Sequence, residues 1–382
     1  MQRELTGSSR FRLAMVAVCF CAAFIPAAAQ DRIAHSISAS EPAQLRGNVH
    51  PLARAENDQG AAEASMMLYR MVLTFQPSAT QHADLEALLA EQQNPLSPYY
   101  RQWLTPEQYA DRFGISASDM AKVAAWLQAQ GFTVDESARS RTYIAFSGSS
   151  SQVESAFHTS IHRFFVDGEP HFANVSDPAL PWSLANVALG IHGLNDFRLK
   201  PRGSVQPRFT SSISGSHFLA PDDFATIYDL KPLYDSGLDG SGQKIAVMGQ
   251  TDLILSDIST FRSVSGLPPN TPTVVLVPGS SDPGVVNGDI GEANLDVQWS
   301  GAVARNATIV YVNSKNGAFD SMNYAVSQNI APVISISYGD CEAHFSQSEI
   351  NGLVAMGQQA NAQGQTIVGP SGDSGAADCD FP

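Results

Sequence analysis

The sequence predicts two folded units of different class: an α+β domain on an antiparallel sheet, then an α/β domain on a parallel sheet. Three observations carry this. Between Met66 and Val175, β-type and helical runs mix irregularly, with a hairpin signal at Asp167-Gly168. From Lys244 to Gly369, apolar strands alternate with helices, the pattern of a parallel sheet covered on both faces. Between these lies a stretch rich in Arg, Pro, Gly and Ser, residues 198–216, with the composition of an exposed linker.

The first element is a leader. Residues 1–29 have the plan of a secretory signal: Arg3, Arg10 and Arg12, then an apolar run from Leu13 to Ile25, then Ala27-Ala28-Ala29. The run is too short to span a membrane comfortably. The expectation is export to the periplasm or beyond the cell, with no membrane attachment after cleavage. Residues 30–63 are polar and mixed, and read as a mobile lead-in.

The first domain is expected over 64–197. Met66 to Phe75 is a strand by its β-formers, and His82 to Gln92 has helical spacing. Thr105 caps a further turn, and Ser116 or Ser118 caps a helix that Gly131 stops near Gln130. Phe132 to Asp135 and Thr142 to Ser147 are strands, Ser150 to Phe157 a helix, and Ile161 to Val166 and Pro170 to Val175 the arms of the hairpin. The linker at 198–216 carries a processing site in this reading, with Lys200, Arg202 and Arg208 exposed. In the second domain, 217–382, strands are expected at Lys244–Gly249, Thr273–Val277, Ala307–Val312, Val333–Ser337 and Thr366–Gly369. Helices fall between them at Leu255–Val264, Asp289–Val303, Phe319–Gln328 and Ser346–Ala362. In sheets of this type, sites form at the C-terminal ends of the strands.

Composition narrows the function classes. The chain has 382 residues, 43% hydrophobic and 15% charged, which is globular rather than disordered. Net charge is −15; from Ser204 onward there are 6 Lys plus Arg against 18 Asp plus Glu, and residues 316–382 contain no Lys or Arg. That balance argues against nucleic acid or an anionic membrane as partner. Cys19 and Cys21 fall in the leader, leaving Cys341 and Cys379, which in an exported protein are a disulfide candidate; two buried free thiols are the alternative.

Chemistry concentrates on the helix at 289–303. Glu292 and Asp296 are four residues apart and share one helical face. Like charges at that spacing repel, which disfavours the helix but suits acid–base work, because repulsion raises one pKa and lets the pair share a proton. A solvated acidic face would carry the same pair. Asp373, in Gly372-Asp373-Ser374-Gly375, is equally a good turn residue on composition alone.

Taken together, Glu292-Ala293-Asn294-Leu295-Asp296, the strand Val333 to Ser337 with Tyr338-Gly339, and Gly369-Pro370-Ser371-Gly372-Asp373-Ser374-Gly375 resemble the sedolisins, the serine-carboxyl peptidases. Ser97 to Tyr109 and Phe113-Gly114 resemble the activation domain that precedes the kumamolisin branch. The resemblance implies a ferredoxin-like activation domain followed by a subtilisin-like peptidase domain, and a Ser/Glu/Asp mechanism. It makes Glu292 the general base, Asp296 the carboxylate that orients it, and Asp373 the acid that donates to the oxyanion. A Glu base works at lower pH than a His base, and an Asp donates only when protonated, so both roles point to acid conditions. The substrates implied are proteins or peptides, with an intramolecular contact between prodomain and peptidase domain.

One departure is large. The family's nucleophile lies in a Ser-Gly-Thr-Ser motif, followed by a calcium loop, and neither occurs here; Ser371 and Ser374 belong to the aspartate motif. The chain therefore reads as a peptidase domain truncated before its serine, inactive as it stands, with no cofactor and with calcium expected only in the missing part. The alternative is a secreted non-catalytic protein whose activation domain binds or inhibits a partner peptidase.

Overall fold

The computed structural model describes residues 29–33, 37, 42–201 and 219–372. The leader expected over 1–29 lies outside them but for Ala29. In the first unit the elements run β1 (Pro42–Gln44), β2 (Asp58–Ala61), β3 (Met67–Phe75), α1 (Ala79–Gln93), α2 (Pro106–Phe113), α3 (Ala117–Ala129), β4 (Thr133–Ser137) and β5 (Tyr143–Ser149). They continue with α4 (Ser150–Phe157), β6 (Ile161–Val166), β7 (Glu169–Asn174), β8 (Ala179–Pro181), α5 (Trp182–Ala185) and β9 (Ala188–His192). The main sheet is antiparallel, in the order β4-β5-β3-β9, with β2-β6-β7 as a smaller sheet. Its helices start where the sequence supplies a hydroxyl: Ser78, Thr105 and Ser149 close full capping boxes, and Ser116 accepts from Asp119 N. One face of the sheet buries Leu73, Ile144 and Phe146 against Val123, Leu127 and Phe157.

Residues 30–63 are not a mobile lead-in where they are described. Ile33 and Leu45 are buried in the domain core, β1 pairs with β8, and β2 pairs with β6. Two isolated apolar residues among polar neighbours give no periodicity to read, yet each is enough to pin a short segment once a core exists.

The second unit contains α6 (Pro221–Ile227), α7 (Lys231–Asp235), β11 (Lys244–Gly249), α8 (Leu255–Val264), β12 (Thr273–Leu276), α9 (Ile290–Val303) and β13 (Thr308–Asn313). After them come α10 (Ala318–Ser327), β14 (Val333–Ser335), β15 (Tyr338–Gly339), α11 (Gln347–Ala362) and β16 (Thr366–Val368). Its sheet is parallel, in the order β12-β13-β11-β14-β16. Val247, Ile309 and Tyr311 pack one face with Ala293 and Val297 of α9; Met248, Val312 and Ile334 pack the other with α10 and α11. The strand expected over 333–337 leaves the sheet at Ser335. Tyr338 and Gly339 pair instead with β10 (Lys200–Pro201), antiparallel.

The linker expected over 198–216 is therefore docked over its first residues, and 202–216 lie outside the described residues. The two units also meet directly. Glycines let β9 lie on α11: a Cβ at Gly190 would come within 1.8 Å of Ser348 Oγ, and one at Gly352 within 3.0 Å of His192 Nε2. Nearby, Leu104 N donates to Ala362 O at 2.9 Å, and Trp103 covers Gly364.

Candidate active site

The carboxylate helix α9 begins one turn before Glu292, at Asp289, which adopts helical φ and ψ and makes no side-chain cap. Asp289 is held from outside the helix. Gln250, fully buried at the end of β11, donates Nε2 to Asp289 Oδ2 at 3.2 Å and to Leu199 O at 3.0 Å, and accepts from Ala318 N. One glutamine thus ties the acid helix, α10 and the docked linker together at the C-terminal edge of the sheet.

Glu292 and Asp296 are on one face of α9, as their spacing requires, and both point inward: Glu292 is 6% exposed. Ser337 Oγ donates to Asp296 Oδ1 at 2.7 Å. Burial pushes the Asp296 carboxyl up to about 6, against the opposing pull of hydrogen bonds from Ser337 and Glu292. Asp296 therefore keeps its proton to a higher pH than a free carboxyl would. Tyr338, the next residue after Ser337, is buried, and burial followed by the neighbouring Tyr311, Asp289, Asp296 and Glu292 raises its hydroxyl pKa. Asp289 is raised too, by burial.

The sign of the Asp296 shift sets an expected result. Its folded value lies above the unfolded 3.8, so the folded state binds the extra proton between the two values. Stability from this group is therefore full in acid and is lost as pH rises through about 6, by an amount on the order of 2–3 kcal/mol. Asp296→Asn mimics the neutral form. It is expected to raise the melting temperature at pH 7.5 and to leave it nearly unchanged at pH 4; equal shifts at both pH values would show that Asp296 is not protonated in acid.

Of the other residues singled out by the sequence, Asp373 lies outside the described residues. Cys341 is disulfide-bonded; Cys379, expected as its partner, also lies outside them. Asp340, Cys341 and His344 are close enough to hold a metal ion, but a sulfur engaged in a disulfide offers no thiolate. Among the described residues no helix is long and apolar enough to cross a membrane. Sequence reasoning missed Gln250, and it missed the role of Ser337. The signal for Ser337 was its place at the end of an expected strand; for Gln250, an amide directly after an apolar strand.

The second feature of the site is its occupied edge. Lys200 and Pro201 lie antiparallel to Gly339 and Tyr338, one residue from Ser337, and Arg198 donates to Lys315 O. An extended segment of the chain's own backbone thus adds as a strand beside the acid pair, a peptide-binding arrangement.

Residues 55–197 match the family model described as the pro-kumamolisin activation domain. The chain is 31% identical over 318 residues to xanthomonalisin of Xanthomonas sp. (strain T-22), covering 76% of this chain and 38% of that protein. It is 28% identical over 312 residues to kumamolisin of Bacillus sp. (strain MN-32), covering 77% of this chain and 55% of that protein. A solved structure of Pseudomonas sedolisin, a serine-carboxyl proteinase, aligns with 47% of this chain and 48% of that one, at 24% identity and a TM-score of 0.34. The chain is thus similar to these peptidases over most of its own length and to the activation domain over 55–197, and it spans about half or less of the length of the relatives it matches.

Proposed function

We propose that the chain belongs to the zymogen of an exported, acid-acting serine-carboxyl endopeptidase. Glu292 is its general base, Asp296 the group that orients and charges that base, and Asp373 the acid that donates to the oxyanion. The first unit is a ferredoxin-like activation domain and the second a subtilisin-like peptidase unit. The observation that carries this reading is the pair of buried Glu292 and half-buried Asp296 lying beside a strand edge that the chain itself fills with residues 200–201. A protein substrate would add to Tyr338-Gly339 as β10 does, its backbone held in register and its carbonyl presented near the pair. An orienting Asp296 carboxyl pushed up to about 6 by burial is matched to acid chemistry.

The Ser-Gly-Thr-Ser sequence is not among these 382 residues, so turnover is expected only from a polypeptide that also carries it. No residue described here is assigned to calcium. Two polypeptides test the reading on denatured protein at pH 3 to 5: these 382 residues alone, and the same residues continued through a family nucleophile segment. Hydrolysis by the second and not the first is expected. Hydrolysis by the first that disappears on Glu292→Ala would place the nucleophile within these residues; none by either at any pH would overturn the reading.

A further inference from the structure

Three of the nine histidines of the chain gather where the first unit meets the second. His50 is buried, and its Nδ1 accepts a hydrogen bond from Leu52 N at 3.2 Å. An imidazolium has no acceptor, so this ring is neutral with its proton on Nε2. It stacks on Phe197 at 4.5 Å between centroids, and His171 lies against the same ring at 4.6 Å. Phe197 immediately precedes the segment 198–201 that fills the strand edge beside Glu292 and Asp296. The second contact is His192, at the end of β9. Its ring lies against α11 at Gly352, where even a methyl group would meet Nε2 at 3.0 Å. Gly190 and Ser348 repeat the fit one step back on each element, two residues along a strand and four along a helix.

We propose that His50 and His192 form a proton-operated latch between the activation domain and the peptidase unit: their neutral rings fit the docked interface, and a proton on either one opposes docking and frees residues 198–201 from the strand edge. The proposal rests on the zymogen reading and deepens it by naming the groups that sense acid.

The surroundings of each ring fix the direction. Around His50 stand Glu349 and Asp340, which favour its charge, and His344 and His171, which oppose it; around His192 stand Glu349 on α11 and Asp320 on α10. These carboxylates are committed elsewhere. Glu349 accepts from Ser346 N at 2.7 Å in the cap of α11, Asp340 accepts from Cys341 N, and Asp320 is paired with Arg70. His171 faces Asp196 at 3.3 Å, so it keeps a counter-charge and is not part of the latch. For His50 and His192, burial outweighs the carboxylates and lowers both pKa values below the ordinary 6.5. Undocked rings take protons near 6.5, docked ones only at lower pH. Docking is therefore strongest above 6.5 and weakens as pH falls from there towards the docked values, by up to about tenfold per pH unit for each ring. Carboxylates of ordinary pKa enter only below about pH 4.5. Asp196, Asp289 and Asp296 are raised by burial and reach into the histidine window, so the histidine variants, not the pH alone, separate the two sources of acid sensitivity.

The test follows hydrogen exchange by mass spectrometry in peptides covering 188–192 and 347–362 of the whole chain, between pH 7.5 and 4.5, corrected for intrinsic exchange. In the unaltered chain, protection at this interface is expected to fall between pH 6.5 and 5, by up to about 100-fold per pH unit. His192→Gln is expected to halve that slope on a logarithmic scale, and His50→Gln with His192→Gln to keep the interface closed to about pH 5. A double variant that opens as the unaltered chain does would overturn the latch. A second measurement, on the unaltered chain with labelled histidine, covers the case of a double variant that fails to dock at pH 7.5. NMR should show the His50 and His192 rings neutral until the interface opens and protonated together with it; rings that titrate near 6.5 with the interface still protected would equally overturn it. Both readouts report docking rather than hydrolysis, so their failure leaves the roles of Glu292 and Asp296 untouched.

Discussion

Glu292→Ala, made in a polypeptide that carries the family nucleophile segment, is expected to lower kcat on denatured protein by about 10³–10⁴-fold. The side chain is buried at the C-terminal edge of the parallel sheet with its carboxyl beside Asp296. On the proposed roles, removing it leaves a nucleophile with no group to take its proton, and the hydrogen bond between Glu292 and Asp296 disappears. Glu292→Gln keeps the volume and one hydrogen-bonding oxygen but cannot accept the proton, so it should fall as far as alanine. Asp296→Asn should cost less, because it removes charge from behind the base and leaves the base in place. The order Glu292→Gln ≈ Glu292→Ala, both below Asp296→Asn, is the signature of a base and its orienter. A Glu292→Gln variant within tenfold of the parent would remove Glu292 from the chemistry. Hydrogen-exchange protection at neutral pH should be lost in none of the three and should rise in Asp296→Asn, which separates lost catalysis from lost fold.

Much of this arrangement was legible before any coordinates, for a physical reason. Elements with a strong period or a hydroxyl cap, such as α3 behind Ser116 and α11 behind Ser346, are specified locally, and they form where the sequence places them. The pairing of Glu292 with Asp296 is likewise local, since helix geometry alone puts them on one face. Features that depend on a partner far along the chain were not legible. Ile33 and Leu45 in a polar lead-in acquire meaning only when the sheet they cover exists. Lys200-Pro201 is a two-residue strand in a Pro- and Gly-rich stretch, and its pairing is written in the geometry of the edge at Tyr338-Gly339 rather than in its own composition. Gln250 reads as a strand end; that its amide joins the acid helix to the linker follows from topology.

Arg70 is the extreme case of a long-range feature, and replacing it has the second large expected effect. It stands in the middle of an apolar strand, at a bulge where the register of β3 against β5 shifts, with a left-handed φ of 49°. The bulge points its side chain at the boundary between the two units, between Glu136 of β4 and Asp320 of α10. There its guanidinium, with no exposed surface, donates Nε to both oxygens of Asp320 at 3.0 Å, a terminal nitrogen to Glu136 at 2.8 Å, and the other to Pro278 O. Asn316 closes the contact from the second unit by donating to Tyr69 O and Arg70 O. Burial alone would weaken the guanidinium's hold on its proton, but Asp320, Tyr143 and Glu136 outweigh it and keep the group charged. Arg70→Met therefore strands two carboxylates, 9% and 10% exposed, without their counter-charge. Breaking one side of such a buried network costs about 3–5 kcal/mol, far more than the intact network contributes over an apolar replacement. The expected result in urea unfolding at pH 7 is a loss of that size, with hydrogen-exchange protection at 67–75 and 316–320 lost first. Asp320→Asn and Glu136→Gln, added to Arg70→Met, should restore much of it, because neutral partners no longer need the guanidinium. A cost below about 1 kcal/mol for Arg70→Met, the value of an exposed pair, would mean that water reaches the cluster and that the two units are not held together there.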